Sequence, residues 1–191
     1  MGAINGKNSL AKKIPSIVKE IRNNPPSPVN YAYQKNISYS QMSIYRGCQH
    51  RWKLQYKDKI KRFTSSIHTV FGTAVHEAMQ HYLDVAYEKS FAAADREIDI
   101  QEYFQEAYIN EYQTQYKKNN DSHFSSAVEM REFFEDGIAI LEWFKKKRSR
   151  YFSKKGTYLV GCEIPIVVAP NKMLNNVLYM GYLDVVTYHE A

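Results

Sequence analysis

The sequence predicts an α+β (or α/β) domain, helical in its N-terminal part, with the first strands of a sheet arriving only after residue 156. Three observations carry this. Apolar residues recur at the helical period in two stretches, Val75, Ala78, Met79, Tyr82, Leu83 and Ala86 in one, Phe133, Phe134, Ile138, Leu141, Trp143 and Phe144 in the other. After Gly156 the period shortens, and residues 158–168 and 177–188 read as β-strands joined by the turn-like Pro170-Asn171-Lys172 and Asn175-Asn176. The chain stops at Ala191, seven residues after Asp184, so the sheet reads as incomplete.

Residues 1–36 read as an N-terminal arm and linker. Within them, 8–23 have the pattern of a short basic amphipathic helix that Pro15 would end or kink, and Asn23 to Pro28 is linker-like in composition. Ser38-Tyr39-Ser40 opens a helical stretch through Leu54 and Tyr56, with Ser40 as its expected N-cap. Met42, Tyr45, Trp52 and Tyr56 supply apolar area there, interleaved with Arg46, His50, Arg51 and Lys53. A second helix is expected to begin at Gly72-Thr73. At about 100° per residue, His76 falls at the edge of its apolar stripe, aimed at a semi-buried pocket, and Glu77 points roughly opposite, toward water. Residues 99–118 and 125–150 form two longer helical segments separated by Asn119-Asn120-Asp121-Ser122, within a helical region spanning about 90–150. The second ends in Lys145-Lys146-Lys147-Arg148 with Arg150. That cluster suits either a nucleic acid or the negative pole of the helix dipole.

Charged residues make up 24 % and apolar residues 44 % of the chain, the balance of an ordinary globular protein. The net charge of +6 favours a polyanionic partner. Cys48 and Cys162 form no CxxC pair, which argues against a disulfide framework or an all-cysteine zinc site and for a reducing compartment. No apolar run approaches the roughly 20 residues needed to span a bilayer, and no signal-peptide core precedes Lys12-Lys13. A soluble, cytoplasmic protein with no membrane partner is expected.

The strand over 177–188 carries Val177, Tyr179, Leu183 and Val185 on one face and Leu178, Met180, Tyr182, Asp184 and Val186 on the other. Apolar on both faces, it reads as a covered central strand. A buried carboxylate at Asp184 then needs a metal or a cation, and an arginine salt bridge would also satisfy it. Gly181 would let a backbone or ligand approach closely. Glu163 begins the preceding strand in the same alternation and could face the same pocket or sit at a solvated strand end.

The ordered set SxSQMxxYxxC at 38–48, GTAVHE at 72–77, CEIPI at 162–166 and GYLD at 181–184 resembles the RecB-like branch of the PD-(D/E)XK nuclease superfamily, over roughly residues 37–191. That branch includes phage and bacterial exonucleases and the CRISPR-adaptation nucleases. The resemblance implies a restriction-endonuclease-like sheet, DNA as partner, and a divalent metal, Mg²⁺ or Mn²⁺, held by His76 and Asp184, with Glu163 a further candidate. It also implies phosphodiester hydrolysis, with the metal as Lewis acid at the phosphoryl oxygen. Arg46, Arg51, Lys53, Lys146 and Arg148 are the candidate DNA contacts. Some relatives bind an iron–sulfur cluster through a cysteine placed like Cys48. Here Gln49 replaces the proline common after it and Cys162 is misplaced for a second ligand, so Cys48 is expected to be a small buried residue and no cluster is expected. The family's third motif, an acidic residue and a lysine two apart, should follow GYLD by about a dozen residues or slightly more, and His189-Glu190-Ala191 does not supply it.

The expectation is therefore a metal-dependent exonuclease-type domain, truncated and nearly inactive in this form. A non-catalytic DNA- or partner-binding remnant of the fold is the alternative. An unpaired sheet edge would favour a homo-oligomer.

Overall fold

The structure, a computed structural model, describes residues 14–25, 35–60, 65–168 and 177–190. Helix α1 (Ser16–Asn23) leads to strand β1 (Lys35–Ser38), helices α2 (Tyr39–Gly47) and α3 (Gln49–Trp52), and a π-helical turn (Lys53–Lys57). Four further helices follow, α4 (Ile67–Glu88), α5 (Phe91–Glu97), α6 (Ile100–Lys118) and α7 (Ala127–Tyr151), and then strands β2 (Thr157–Val168) and β3 (Val177–His189). The predicted α+β class, a helical N-terminal part before a small sheet, is observed, although one strand of that sheet, β1, already precedes α2. The expected turns at 170–172 and 175–176, the first part of the 8–23 segment and the linker's Pro26 to Pro28 lie outside the described residues.

Packing explains several element boundaries. Helix α4 starts at Ile67 rather than Gly72-Thr73, because Ile67 and Val70 extend the apolar stripe back by more than a turn and are buried. Burial of that stripe outweighs the roughly 1 kcal/mol that a glycine inside a helix costs. Pro15 takes the N-cap position of α1, so the helix begins after it. Ser38, not Ser40, caps α2: leaving β1 in extended conformation, its hydroxyl accepts from Gln41 N at 3.2 Å, whereas Ser40 already lies in the first turn. The expected helix through Tyr56 is interrupted at Cys48, whose backbone is extended (φ −160°) and whose Sγ accepts from Arg51 N at 3.4 Å to cap α3. Cys48 is accordingly exposed, contrary to the expected small buried residue. Neither β1 nor α5 has a periodic signal long enough to announce it.

The main core lies among α4, α5, α6 and α7, with Tyr82, Leu83, Phe104 and Leu141 almost fully buried. At Gly137 of α7 an added Cβ would sit 2.2 Å from the Phe104 ring, so only glycine permits this approach to α6. At the end of α4, the Tyr82 hydroxyl donates to Asp95 at 2.8 Å and Arg148 donates to both. Partial burial would raise the Asp95 carboxyl, but Arg148 and Tyr82 together outweigh it and hold it below the usual carboxylate range.

The sheet has order β1-β3-β2, with β1 parallel and β2 antiparallel to β3. α1 docks on β2: Val18 is fully buried, and the Arg22 guanidinium donates to the carbonyls of Leu159 and Val160. β3 is central, but it is not covered along its length. Leu178 is buried while Tyr182, Leu183 and Asp184 are exposed; β1 pairs only as far as Met180, and beyond it Val185 still packs against the helical core. Among the described residues no helix is long and apolar enough to cross a membrane.

Candidate functional site

α4, β2 and β3 each send one side chain to the same place. His76 is the tenth residue of α4, mid-helix rather than near its start, and shares its face with Gly72 and Gln80 at i±4 spacing. Across β2 and β3, Cys162 pairs with Val185 and Ile164 with Leu183, which sets Glu163 and Asp184 directly opposite each other. His76 Nδ1 lies 3.8 Å from Glu163 Oε1, and its Nε2 lies 3.7 Å from Asp184 Oδ2. One ligand atom from each of the three residues falls within 4.8 Å of the others. Two ligand bonds of about 2.0–2.6 Å span such separations, so a single ion can reach all three.

The environment differs from the expected buried pocket. The side chains of His76 and Glu163 are 50 % exposed and that of Asp184 is 66 % exposed. Burial of Asp184 therefore gives no reason for a cation. The like charge of two facing carboxylates does, because such cross-strand pairs repel, and among the described residues no lysine or arginine lies within ion-pair distance of either. Glu163 is mid-strand rather than at its start, and it alone within the sheet adopts a left-handed backbone (φ 52°). The irregularity follows a register shift between Leu159 and Gly161, a bulge that re-aims the strand. A non-glycine residue held there costs about 1–3 kcal/mol, strain of the kind that gathers at functional sites.

Sequence reasoning missed Gln80, whose amide donates to Glu163 Oε1 at 3.0 Å. Its position four residues after His76 is the signal that would have found it. Cys162, beside Glu163, is pushed up to about 11 by burial and then by the nearby Asp84 and Glu163 charges, so its thiol stays protonated near neutrality. Gly181 has open space above it; among the described residues a Cβ there would meet nothing within 4 Å.

The cationic candidates divide. Arg46 and Arg51 are exposed on α2 and α3, whereas Lys53 pairs with Asp58 at 2.7 Å. Lys146 is exposed on α7, while Arg148 is committed to Asp95 and Tyr82 within the fold.

A family model described as the PD-(D/E)XK nuclease superfamily matches residues 36–168, and the chain belongs to that superfamily. The match includes His76 and Glu163 and stops before Asp184. Searches of curated proteins and of solved structures return no significant match. Members of the superfamily are in general divalent-metal-dependent nucleases acting on DNA.

Proposed function

We propose that this member of the PD-(D/E)XK nuclease superfamily is a metal-dependent DNA nuclease domain of the RecB-like, exonuclease type. In this reading residues 37–191 form the domain, about 90–150 form a helical insertion, and His76, Glu163 and Asp184 bind Mg²⁺ or Mn²⁺. The observation that supports it is the convergence of one imidazole and two carboxylates, from three separate elements, within 4.8 Å. The donor set fits: hard carboxylate oxygens suit Mg²⁺, and the nitrogen makes Mn²⁺ acceptable.

The chain's own residues have definable roles there. A neutral imidazole has one acceptor nitrogen and one N–H. His76 can ligate through that acceptor nitrogen an ion that Glu163 and Asp184 also reach. Gln80 fixes Glu163 Oε1 by its 3.0 Å hydrogen bond. A cation held at this place supplies a Lewis acid for a phosphoryl oxygen. Arg46, Arg51 and Lys146 supply phosphate contacts, so log affinity for DNA should fall steeply with log salt.

Two measurements test the reading. Mn²⁺ titration followed by electron paramagnetic resonance should show one site per chain that is lost in the His76→Ala, Asp184→Ala double variant. Digestion of linear DNA in Mg²⁺ or Mn²⁺, compared with the same variant, then separates the two forms of the reading. Variant-sensitive turnover supports a nuclease, and metal and DNA binding without turnover supports a binding form of the fold. Absence of a Mn²⁺ site refutes the metal-dependent nuclease.

A further inference from the structure

The segment from α2 through the π-helical turn contains no fully buried residue, although it carries three tyrosines, a tryptophan, a methionine and a leucine. Tyr39 is 77 % exposed, Tyr45 is 45 % exposed, and Met42 lies outward with them. At 100° per residue Tyr39, Met42 and Arg46 form one stripe of α2, with Tyr45 beside it. The Tyr45 and Trp52 rings meet edge to face at 5.5 Å, and Trp52 continues to Tyr56 at 6.3 Å. Scattered exposed apolar residues need no explanation, but a contiguous aromatic face marks a binding surface.

Charge selects the occupant. Residues 39–60 hold five lysines and arginines against one carboxylate, Asp58, which Lys53 already takes. A protein partner's apolar face would match the rings and leave the cations unpaired. A duplex would match the cations and leave the rings facing stacked, inaccessible bases. A single strand satisfies both, because its phosphates meet the cations and each unpaired base offers a π-face to a ring. Placement links this face to the candidate metal site. α2 leaves β1 at Ser38, opposite Met180, and packs against β3. Four residues along β3 from Met180 stands Asp184, with the exposed Tyr182 on the same strand face between them.

We infer that the α2–α3 face, with Tyr39, Tyr45 and Tyr182 as stacking rings and Arg46 and Arg51 as phosphate contacts, is a platform for single-stranded DNA leading to the His76–Glu163–Asp184 cluster. The inference rests on the reading of DNA as the partner and adds the strand form.

The test is fluorescence anisotropy of a labelled oligothymidine and of a duplex of equal length, in EDTA so that no metal contributes. The full chain should bind the single strand at least about tenfold more tightly than the duplex at the same salt. Tyr45→Ala and Tyr39→Ala should each weaken the single strand about tenfold, within the range for one base–aromatic stack, and leave the duplex unchanged. Tyr45→Phe should retain the affinity, since stacking does not use the hydroxyl. Trp52 emission, read in a Trp143→Phe background, should be quenched by the oligothymidine. Unchanged circular dichroism and melting establish that each variant is folded. Equal affinity for the two forms, equal weakening of both by Tyr45→Ala, or no binding would overturn the platform. Single-strand binding that survives in the His76→Ala, Asp184→Ala variant, together with a lost Mn²⁺ site, supports platform and metal centre as separate parts. Stacking without any Mn²⁺ site in the unmutated chain upholds the platform and removes the metal reading alone.

Discussion

Replacing Asp184 by asparagine should raise the stability of the metal-free protein and at the same time abolish its stabilisation by Mn²⁺. The two effects have opposite signs and come from one pair of charges. Asp184 and Glu163 face each other across β2 and β3, with ligand atoms within 4.8 Å and no arginine or lysine between them among the described residues. Two unit charges at that distance repel by about 0.9 kcal/mol at the dielectric of water, and the exposure of both groups makes water the right reference. Screening by salt lowers this further, so Asp184→Asn should gain a few tenths of a kcal/mol to about 0.9 kcal/mol when no metal is present. With metal, the stabilisation of the unmutated chain follows RT ln(1 + [L]/Kd), about 2.7 kcal/mol at a hundredfold excess over Kd. For a chain of this length each kcal/mol moves Tm by about 2–4 °C, so saturating Mn²⁺ should raise Tm by about 5–11 °C. Differential scanning fluorimetry in EDTA and across a Mn²⁺ series reads both effects. If Asp184→Asn melts lower in EDTA and still responds fully to Mn²⁺, the cluster is neither a strained pair of charges nor a metal site.

Other perturbations test separate links. Gly72→Ala should stabilise the fold by up to about 1 kcal/mol, since its Cβ meets nothing within 4 Å inside α4, whereas Gly137→Ala should destabilise it by about 1–3 kcal/mol against Phe104; urea midpoints compare them. Arg148→Ala should destabilise by about 1–3 kcal/mol, by removing the cation from Asp95 and the donor to the Tyr82 hydroxyl, and Arg148→Lys should recover only part of it in the same urea assay. Burial pushes Tyr87 and Tyr108 up to about 12, above the ordinary tyrosine value near 10. Between those values the unfolded chain loses protons that the folded chain keeps, so their stabilisation is complete below about pH 10 and falls as pH rises toward 12. Tyr108→Phe should flatten that alkaline fall in a pH series of denaturation midpoints.

How much of this was legible in the sequence depended on periodicity. α4 and α7 bury long apolar stripes, and their existence could be read from Val75, Leu83, Phe134 and Leu141. β2 and β3 were likewise legible to within a residue or two, because a twelve- or thirteen-residue strand repeats its alternation many times. Four residues of β1 repeat it twice, and its polar Lys35, Asn36 and Ser38 give no stripe at all, so only its pairing with β3 defines it. α4 starts at Ile67 rather than at Gly72, because burial of Ile67 and Val70 outweighs the glycine as local punctuation.

For the site, the sequence could name His76, Asp184 and Glu163, but it offered the wrong physical reason for them. An apolar alternation around Asp184 says which faces are hydrophobic, not whether another layer covers them, and here Tyr182 and Leu183 stand exposed beside it. The better reason is relational: an antiparallel register that opposes two carboxylates, and a helix that lays an imidazole between them. Glu163 makes the point most sharply. Its left-handed backbone stands a few residues beyond the bulge near Val160, and no composition or spacing encodes it. That conformation favours glycine over any side chain by about 1–2 kcal/mol. Glu163→Gly should therefore be more stable than Glu163→Ala by about that amount, with both lacking the metal response. Equal urea midpoints for the two variants would show that the backbone there relaxes freely, and that the carboxylate is held at the cluster by Gln80 alone.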